Sequence, residues 1–336
     1  MKDKPLVSIV VPVYNVKDYL PQCLDSLLAI NYPSKEIIIV EDCSTDGSIK
    51  ICSQYKEKYP ELTLIQHKQN KGVQEARITG VSNTNGEYVM FVDSDDFVEP
   101  EILNQLVSKA LQHEADMVCA QIFRYSNGGY HIEKRNIFGV FNKREIKELF
   151  YKNLIMDESI YKSGMPLYLC GKLIKKENLL KSLVKGVGLR YGEDELSVVD
   201  YLMNYTETLV SIDTPLYYYR YHSNQVTAKS VTELWPDYIK LWERLDAIEG
   251  WSWDTVLSRR MWCFIKPTIY RKPLEDNPRC FIHAMKQLRN SSIVKKHIFD
   301  NESIPLSIKK HLHYVFLKHR LYLLDYFMYF IVRTIH

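Results

Sequence analysis

Long apolar runs are missing from this chain of 336 residues. A membrane-spanning helix needs about 20 consecutive apolar residues, whereas the most apolar window, residues 321–332, contains Asp325. The first apolar run, residues 6–11, is too short for the core of a signal peptide. We therefore expect a protein that neither crosses a membrane nor is exported.

The chain also lacks paired cysteines and the common phosphate-binding loops. Its seven cysteines are odd in number and include no C-x-x-C spacing, which fits a reduced, cytoplasmic compartment. Neither G-x-G-x-x-G nor G-x-x-x-x-G-K-[ST] follows the first apolar run, which argues against simple dinucleotide-dependent and P-loop enzymes. No nucleic-acid-binding module is recognisable, so we expect no nucleic acid partner.

Short apolar strands alternate with amphipathic helices over the first 110 residues. The predicted strands cover residues 6–11, 36–40, 62–65 and 88–92. Continuously apolar strands separated by helices indicate a mostly parallel sheet with helices on both faces, which is an α/β fold. Because ligands bind such sheets at the carboxyl ends of the strands, the polar residues after each strand are candidates for a site.

Three predicted strand ends carry unusual polar chemistry. After the first strand, the backbone of Val13 and the ring of Tyr14 could hold a nucleotide, and Asp42 after the second could accept from a base or ribose. Asp93 and Asp95 share side-chain parity after the fourth strand, so both could face one divalent ion. The alternatives are a helix-capping turn after the second strand and a solvated acidic turn after the fourth.

These segments resemble the inverting glycosyltransferases of family 2, which have a GT-A fold and use nucleotide-diphosphate sugars. The resemblance lies in residues 7–15, 41–48, 70–77 and 92–96. It implies that the first three segments contact the nucleotide and diphosphate, and that the fourth is a metal-binding D-x-D motif. Glu41 and Cys43 stand where Asp and Gly are commoner in the family, but an acidic side chain is retained at Asp42.

The resemblance extends more weakly to about residue 228. Residues 192–195 are similar to the motif whose Asp is the catalytic base of the family, which implies this role for Asp194. The flanking glutamates should raise the pKa of Asp194, although acids also favour the solvated first turn of a helix. Residues 217–222 resemble the closing segment and imply that His222 binds metal or diphosphate; taken alone, His222 is typical of a surface loop.

The implied metal site contains Asp95 and His222, with Asp93 on the metal, on a metal-bound water or on the ribose. A neutral imidazole suits Mn²⁺ better than Mg²⁺, which prefers oxygen ligands and water. Either ion would stabilise the negative charge that builds on the diphosphate when its bond to the sugar breaks. One base and one displacement imply inversion at the anomeric carbon.

Further residues are expected to bind the nucleotide sugar. Arg77 and Arg220 could bind phosphate oxygens, or could be salt-bridged surface arginines. Gly171 would let the backbone approach the donor sugar, or could form a plain turn. The full set of donor-binding candidates is Pro12, Val13, Tyr14, Asn15, Glu41, Asp42, Lys71, Gly72, Arg77, Asp93, Ser94, Gly171 and Arg220.

The expected activity is metal-dependent transfer of a hexosyl or N-acetylhexosaminyl group from a UDP-sugar to a hydroxyl of a saccharide or lipid-linked acceptor. The family's commonest setting is cell-surface polysaccharide or glycoconjugate synthesis. The alternatives are a sugar-phosphate nucleotidyltransferase and a non-catalytic sugar-binding protein on the same fold. The GT-A domain is expected at residues 1–228, with a nucleotide-binding part to about 115 and an acceptor part at 116–228.

Beyond residue 228 the strand pattern stops, and residues 229–336 are predicted to form helices rich in Trp and Tyr. Such tryptophans are usually core residues, although one or two could line an acceptor groove. Residues 309–336 mix basic and apolar side chains at helical spacing. We expect this stretch to lie on the anionic inner face of the cytoplasmic membrane, or else to dock on its own domain or on a second copy of the chain.

Overall fold

The computed structural model describes residues 4–126, 129–132, 137–149, 167–221, 231–248, 261, 278–300 and 318–319. These residues form two compact units. The first contains the described residues as far as Gly188 and those from Glu193 to Tyr221. The second contains residues 189–192 and the described residues from Val231 onward.

A single mixed sheet organises the first unit. Its strands are β1 (Val7–Val13), β2 (Lys35–Glu41), β3 (Thr63–Gln66), β4 (Tyr88–Phe91), β5 (Phe97–Val98), β6 (Met117–Ser126), β7 (Gly129–Ile132), β8 (Gly139–Asn142), β9 (Lys172–Lys175) and β10 (Thr208–Arg220). Among the described residues, neighbouring strands follow the order β3-β2-β1-β4-β9-β6-β10-β5, with β7 beside β6 and β8 beside β10.

The first four strands form the parallel arrangement that the sequence predicts. β1 pairs in parallel with β2 and with β4, and β2 pairs in parallel with β3. Every residue of β1 and β4 is buried, as expected for strands that are covered on both faces. The carboxyl ends of β1, β2 and β4 therefore meet at one edge of the sheet.

Beyond β4 the sheet becomes mixed. β9 runs antiparallel to both of its neighbours, β4 and β6, while β10 runs parallel to β6 and antiparallel to β5 and β8. The predicted parallel character is therefore concentrated in β1 to β4. The pairing in this part of the sheet was not predicted, because β6, β9 and β10 come from distant parts of the chain and no local pattern encodes which of them are neighbours.

The first strand is longer than the sequence predicts. Pro12 and Val13, which were expected in a loop, are buried residues of β1 that pair with Val40 and Glu41 of β2. β4 pairs only with residues 7–10 of β1. The missing N–H of a proline is tolerated there because strand neighbours flank the end of β1 on one side only.

Seven helices of the described residues belong to the first unit: α1 (Leu20–Leu28), α2 (Ser48–Lys58), α3 (Val73–Ser82), α4 (Ile102–His113), α5 (Lys143–Leu149), α6 (Leu179–Leu183) and α7 (Glu193–Tyr205). Helix α1 buries Leu20, Cys23, Leu24 and Leu27, the apolar face that helical spacing predicts. Helices α3 and α7 matter most for the site, since each begins beside a predicted motif.

From Val231 onward, the described part of the second unit is mainly helical. It contains α8 (Val231–Asp246), α9 (Pro278–Asn290) and short helical turns over residues 292–299. Trp235 and Trp242 are fully buried, with ring centroids 6.0 Å apart, so both are core residues. Trp251, Trp253 and Trp262, the other candidates for an acceptor groove, lie outside the described residues.

None of the described helices has the length and the apolar character that crossing a bilayer requires. The basic amphipathic stretch predicted at residues 309–336 lies outside the described residues, apart from 318–319. Its contact with a membrane, with its own domain or with a second copy stays a prediction.

Candidate functional site

Asn15 ties the ends of β1 and β2 together. It has a left-handed backbone with φ of 52°, which asparagine adopts more readily than most residues because its short side chain bonds locally. Its amide donates to Ser44 Oγ at 3.1 Å, and its Oδ1 accepts from the Thr45 amide at 2.8 Å. The neighbouring Tyr14 ring is 46% exposed and is therefore accessible to a ligand at this edge.

The segment after β2 is organised by two carboxylates. Glu41 is fully buried, and its Oε1 accepts from the Ser44 amide at 2.6 Å. Asp46 accepts from the amide and hydroxyl of Ser48 at 2.9 and 2.6 Å, which closes a turn around Gly47, the N-cap residue of α2. Between them, Cys43 has a positive φ of 62°, which explains why glycine suits this position in the resembled family.

Asp42 is buried at the end of β2 and holds the start of α3. Its Oδ1 accepts from the Lys71 amide at 2.9 Å, and its Oδ2 accepts from the Gly72 amide at 2.7 Å. Nδ1 of His67 lies 2.7 Å from Oδ1. Asp42 thus bonds the backbone just before α3, whose N-cap residue is Gly72, and not the helix α2 that follows it in sequence. With two donors on Oδ1 and one on Oδ2 among the described residues, Oδ2 can still accept from a ligand.

The acidic turn after β4 contains two different kinds of carboxylate. Asp93 and Asp95 are half-buried, whereas Asp96 is 1% exposed. The Tyr217 hydroxyl donates to Asp96 Oδ2 at 2.7 Å, and the Arg220 amide donates to Asp96 Oδ1 at 2.7 Å. A solvated acidic turn is therefore wrong for Asp96, which instead fixes the turn to β10.

Tyr217 and Arg220 make further bonds to this turn. The Tyr217 hydroxyl accepts from the Asp93 amide at 3.1 Å, and Arg220 Nε donates to the Asp95 carbonyl at 2.7 Å. Arg220 Nη2 also donates to Gln22 Oε1 at 2.5 Å. Four bonds link three residues of the turn to Tyr217 and Arg220 of β10. The position of the turn is therefore set by the sheet as well as by the local backbone.

Arg77 connects the D-x-D turn to the start of α7. Its guanidinium is 5% exposed and donates to Asp93 Oδ1 and to Glu193 Oε1, each at 3.1 Å. Burial lowers the pKa of Arg77, but Asp93, Glu193 and Asp194 outweigh it and raise this pKa above its ordinary value. Arg77 is therefore salt-bridged, as one alternative supposed, but it lies in the interior and not on the surface.

Asp194 lies in the first turn of α7, beside Glu193. Its Oδ1 accepts from the Glu195 amide at 2.7 Å. Burial and the Glu193 charge raise the pKa of Asp194 to about 7, although Arg77 and the Glu195 amide oppose the rise. Burial is the larger cause, whereas the sequence pointed only to the adjacent acids. A carboxyl that titrates near neutral pH can exchange protons with a bound hydroxyl.

Asp93 and Asp95 offer carboxylate oxygens, the ligands that a divalent cation prefers. Burial raises the pKa of Asp93 and the Asp95 charge adds to the rise, with Arg77 opposing it, so a cation would relieve crowded negative charge. Among the described residues, the ligand atoms of Asp93, Asp96 and Cys170 lie within 4.8 Å of one another. That group fits less well, because burial raises the pKa of the Cys170 thiol well above its ordinary value and Asp96 already accepts two donors.

The other predicted site residues have varied positions. Lys71 is exposed at the start of α3, and Ser94 is buried within the acidic turn. Gly171 is buried with φ of 66°, and its carbonyl accepts from the Ala120 amide at 2.9 Å, which agrees with the plain-turn alternative. His222, the predicted third metal ligand, lies outside the described residues.

Two residues of the site were missed by sequence reasoning. His67 follows β3 directly and contacts Asp42; the rule that ligands bind at strand ends, applied to β3, would have found it. Tyr217 belongs to the predicted closing segment but was given no role, because nothing in a run of three tyrosines shows which one is buried. Its hydroxyl joins Asp93 to Asp96.

Comparisons with known proteins show which family the chain resembles. The family model described as glycosyl transferase family 2 matches residues 8–175. Glycosyltransferase GlyA of Streptococcus pneumoniae is 33% identical over 68% of this chain and 32% of its own length. A poly(ribitol-phosphate) beta-glucosyltransferase of Bacillus spizizenii is 30% identical over 63% of this chain and 32% of its own length. The chain thus spans about a third of each of these relatives.

A solved structure extends the likeness to nearly the whole chain. The crystal structure of S. aureus TarS 1-349 in complex with UDP-GlcNAc matches with a TM-score of 0.73 at 19% identity, over 98% of this chain and 92% of that chain. Together with the mixed sheet and its flanking helices, this likeness confirms the expected GT-A fold. Because the family model covers residues 8–175 of the 336, the chain belongs to glycosyl transferase family 2.

Proposed function

We propose that this protein transfers a sugar from a nucleotide-diphosphate donor to an acceptor hydroxyl, with inversion at the anomeric carbon and with the help of a divalent cation. The observation that carries the proposal is the buried Arg77 guanidinium, which bonds Asp93 and Glu193 at 3.1 Å each. It joins the D-x-D turn, where a diphosphate would lie, to the turn of α7 that carries Asp194. Arg77 thus holds together the two parts of the proposed site, one for the donor diphosphate and one for the acceptor.

The nucleoside is proposed to lie over the ends of β1 and β2. Tyr14 offers an exposed ring for stacking, and Asp42 Oδ2 can accept one further N–H or O–H donor. The imide of uracil and a ribose hydroxyl are both suitable donors. A UDP-sugar is the proposed donor, and the UDP-GlcNAc complex of TarS supports this choice.

Asp194 is proposed as the general base. The acceptor oxygen bonds to the anomeric carbon while the bond from that carbon to the β-phosphate oxygen breaks, so the nucleoside diphosphate leaves with the electron pair. The acceptor proton passes to the Asp194 carboxylate. A pKa of about 7 suits this role, because general bases work best when their pKa lies near the working pH. A single displacement inverts the anomeric centre.

Asp93 and Asp95 are proposed to hold the cation, with His222 as a third ligand. Mn²⁺ or Mg²⁺ bound there would stabilise the charge of the leaving diphosphate. Arg77 is proposed to orient Asp93, since its guanidinium faces two carboxylates. Arg220 is proposed to hold the backbone of the acidic turn, through the bond from its Nε to the Asp95 carbonyl.

The acceptor is proposed to be a saccharide or lipid-linked hydroxyl in the synthesis of a cell-surface polymer. A relative named for glucosylation of poly(ribitol-phosphate) supports a polymer acceptor. We further propose that the catalytic domain spans residues 1–228, and that residues 229–336 form a separate helical region. These boundaries are testable by limited proteolysis of the full chain.

The decisive experiment is a panel of UDP-, GDP- and dTDP-sugars with Mn²⁺ or Mg²⁺, in which released nucleoside diphosphate and donor-induced thermal shifts are measured. We expect release from at least one donor, with an inverted product linkage by NMR. Binding without release, even with saccharide acceptors, would favour the non-catalytic alternative. Formation of a nucleotide sugar from a nucleoside triphosphate and a sugar phosphate would show a nucleotidyltransferase instead.

A further inference from the structure

His67 bridges the end of β2 and helix α3. Its side chain is 5% exposed. Its Nδ1 lies 2.7 Å from Asp42 Oδ1, and its Nε2 lies 2.9 Å from Thr79 Oγ1 on α3. Its backbone amide donates to the Glu41 carbonyl at 2.8 Å. The imidazole is therefore fixed by one partner on each ring nitrogen.

The two partners determine the tautomer of the neutral ring. The Asp42 oxygens face only donors, so Nδ1 carries the proton and donates to Oδ1. Nε2 then presents a lone pair, to which the Thr79 hydroxyl donates. In the opposite tautomer, Nδ1 and the carboxylate would place two lone pairs against each other at 2.7 Å.

The Nδ1–H group completes a set of three donors around Asp42. The other two are the amides of Lys71 and Gly72. Together they fix the carboxylate plane, and with it the direction in which Oδ2 can accept from a ligand. If Nδ1–H is lost, Oδ1 and Oδ2 keep one backbone donor each, and the carboxylate loses one of the three bonds that restrict rotation about its bond to Cβ.

We propose that His67 is a positioning residue for the donor nucleotide: its Nδ1–H holds the Asp42 carboxylate in the orientation that accepts from the nucleoside, and the bond between its Nε2 and Thr79 is not needed for that orientation. This inference rests on the proposed function, in which Asp42 contacts the nucleoside. A histidine that only fills space would be sensitive to changes in volume and indifferent to which ring nitrogen is replaced. The two roles therefore make different predictions.

Asparagine and glutamine separate the roles of the two ring nitrogens. In His67→Asn, the side-chain amide nitrogen occupies the position of Nδ1 and keeps a donor for Asp42, while the bond to Thr79 is lost. In His67→Gln, the amide reaches the position of Nε2 near Thr79, and Asp42 loses its donor. Thr79→Val is a matched control, because it removes the hydroxyl and keeps the side-chain volume.

The measurements are the affinity of the full chain for UDP with Mn²⁺, by calorimetry, and the donor KM and kcat. We expect His67→Gln to weaken UDP binding about tenfold, which corresponds to about 1.4 kcal/mol, and to raise the donor KM by a similar factor. Its kcat should stay near that of the wild type. His67→Asn and Thr79→Val should bind UDP within about threefold of the wild type, because the charge-assisted bond to Asp42 is retained.

Three results would overturn the positioning role. The first is equal UDP affinity in all folded variants, and the second is an equal loss in His67→Asn and His67→Gln. The third is a fall in kcat with an unchanged donor KM in His67→Gln. If the wild-type chain binds none of UDP, GDP and dTDP, the proposed nucleotide site fails before any variant is compared, so the two failures are distinguishable.

A measurement on the unmodified chain covers the case in which His67→Gln does not fold. In protein with ¹⁵N-labelled histidine, NMR correlations through the ring should show the His67 proton on Nδ1, and its signals should shift when UDP with Mg²⁺ is added. A proton on Nε2 in the neutral ring, or signals that do not respond to a bound nucleotide, would contradict the proposal.

Discussion

Asp42 directly follows β2, and Asp194 lies in the first turn of α7. The two carboxylates have different surroundings. Asp42 is 2% exposed and is held by an imidazole and two backbone amides. Asp194 is half-buried, accepts from one backbone amide and lies beside Glu193, and its pKa is raised to about 7. Several donors fix a carboxylate in place, whereas burial beside a like charge prepares one to take up a proton. The difference supports the proposed binding role at the end of β2 and the proposed proton-transfer role at the start of α7.

Helix α3 connects the two regions. Its first residues follow the Lys71 and Gly72 amides that bond Asp42, and its Arg77 bonds Asp93 and Glu193. A ligand that orders the Asp42 region would therefore also hold α3 against the acidic turn.

The largest effect is expected at the proton-transfer region. Asp194→Asn keeps the size and an acceptor for the Glu195 amide but cannot take up a proton. We expect kcat to fall by about 10²–10⁴-fold, the usual contribution of general base catalysis. Steady-state release of nucleoside diphosphate measures this, with Asp18→Asn, at an exposed position, as the control. A kcat within a few-fold of the wild type would show that the base lies elsewhere.

The next largest effect is expected on stability, at the link between the acidic turn and α7. Arg77→Met leaves Asp93 and Glu193 without their buried counter-charge, which typically costs about 3–5 kcal/mol. Urea unfolding should show this loss in full. Arg144→Met is the control, since Arg144 has a side chain 88% exposed in a local pair with Glu148, and such pairs contribute about 0.3–0.5 kcal/mol. Similar losses in both variants would show that the buried ion pairs of Arg77 stabilise the fold no more than an exposed pair does.

A smaller effect is expected where β10 meets the acidic turn. Tyr217→Phe removes the hydroxyl that donates to Asp96 and accepts from the Asp93 amide. Leaving a buried acceptor unsatisfied costs about 1–3 kcal/mol, and affinity for Mn²⁺ should fall as the turn loosens. Tyr218→Phe is the matched control, because the Tyr218 hydroxyl donates to the partly exposed Glu99. Unchanged stability and Mn²⁺ affinity in Tyr217→Phe would show that the Tyr217 hydroxyl does not stabilise the acidic turn.

The smallest effect is expected in the pH dependence of stability. The folded chain holds a proton on Asp194 up to a pKa of about 7, whereas an unfolded Asp loses it near pH 3.9. The protonated carboxyl thus contributes stability that is full below about pH 4 and is lost as the pH rises through 7. Asp194→Asn does not titrate, so its Tm relative to the wild type should rise between pH 5 and pH 8. Over the upper part of this range, from pH 6 to pH 8, these two pKa values give a change of about 1.4 kcal/mol, or about 3–6 °C. A constant difference in Tm across this range would contradict the raised pKa.

The sequence predicts strands β1 to β4 and the polar residues that follow them, for a physical reason. Strands β1 to β4 are short apolar runs that end in polar residues, so both their pairing and the edge where Asp42 and Asp93 lie follow from local patterns. The contacts made by Arg77 do not follow in this way, because Glu193 lies 116 positions further along the chain. Burial of Asp194, which raises its pKa more than its neighbours do, likewise depends on packing that no short motif encodes. His67 was missed because one buried histidine carries no spacing signal.

The most direct test of the account compares Asp42→Asn with Asp194→Asn for UDP affinity, measured with Mn²⁺ by calorimetry, and for kcat at saturating donor. The account predicts opposite defects: Asp42→Asn weakens UDP binding at least tenfold, which is about 1.4 kcal/mol, with a smaller change in kcat, whereas Asp194→Asn binds UDP like the wild type and loses turnover. If Asp194→Asn lost UDP affinity while Asp42→Asn kept it, the assignment of binding to the end of β2 and proton transfer to α7 would be contradicted.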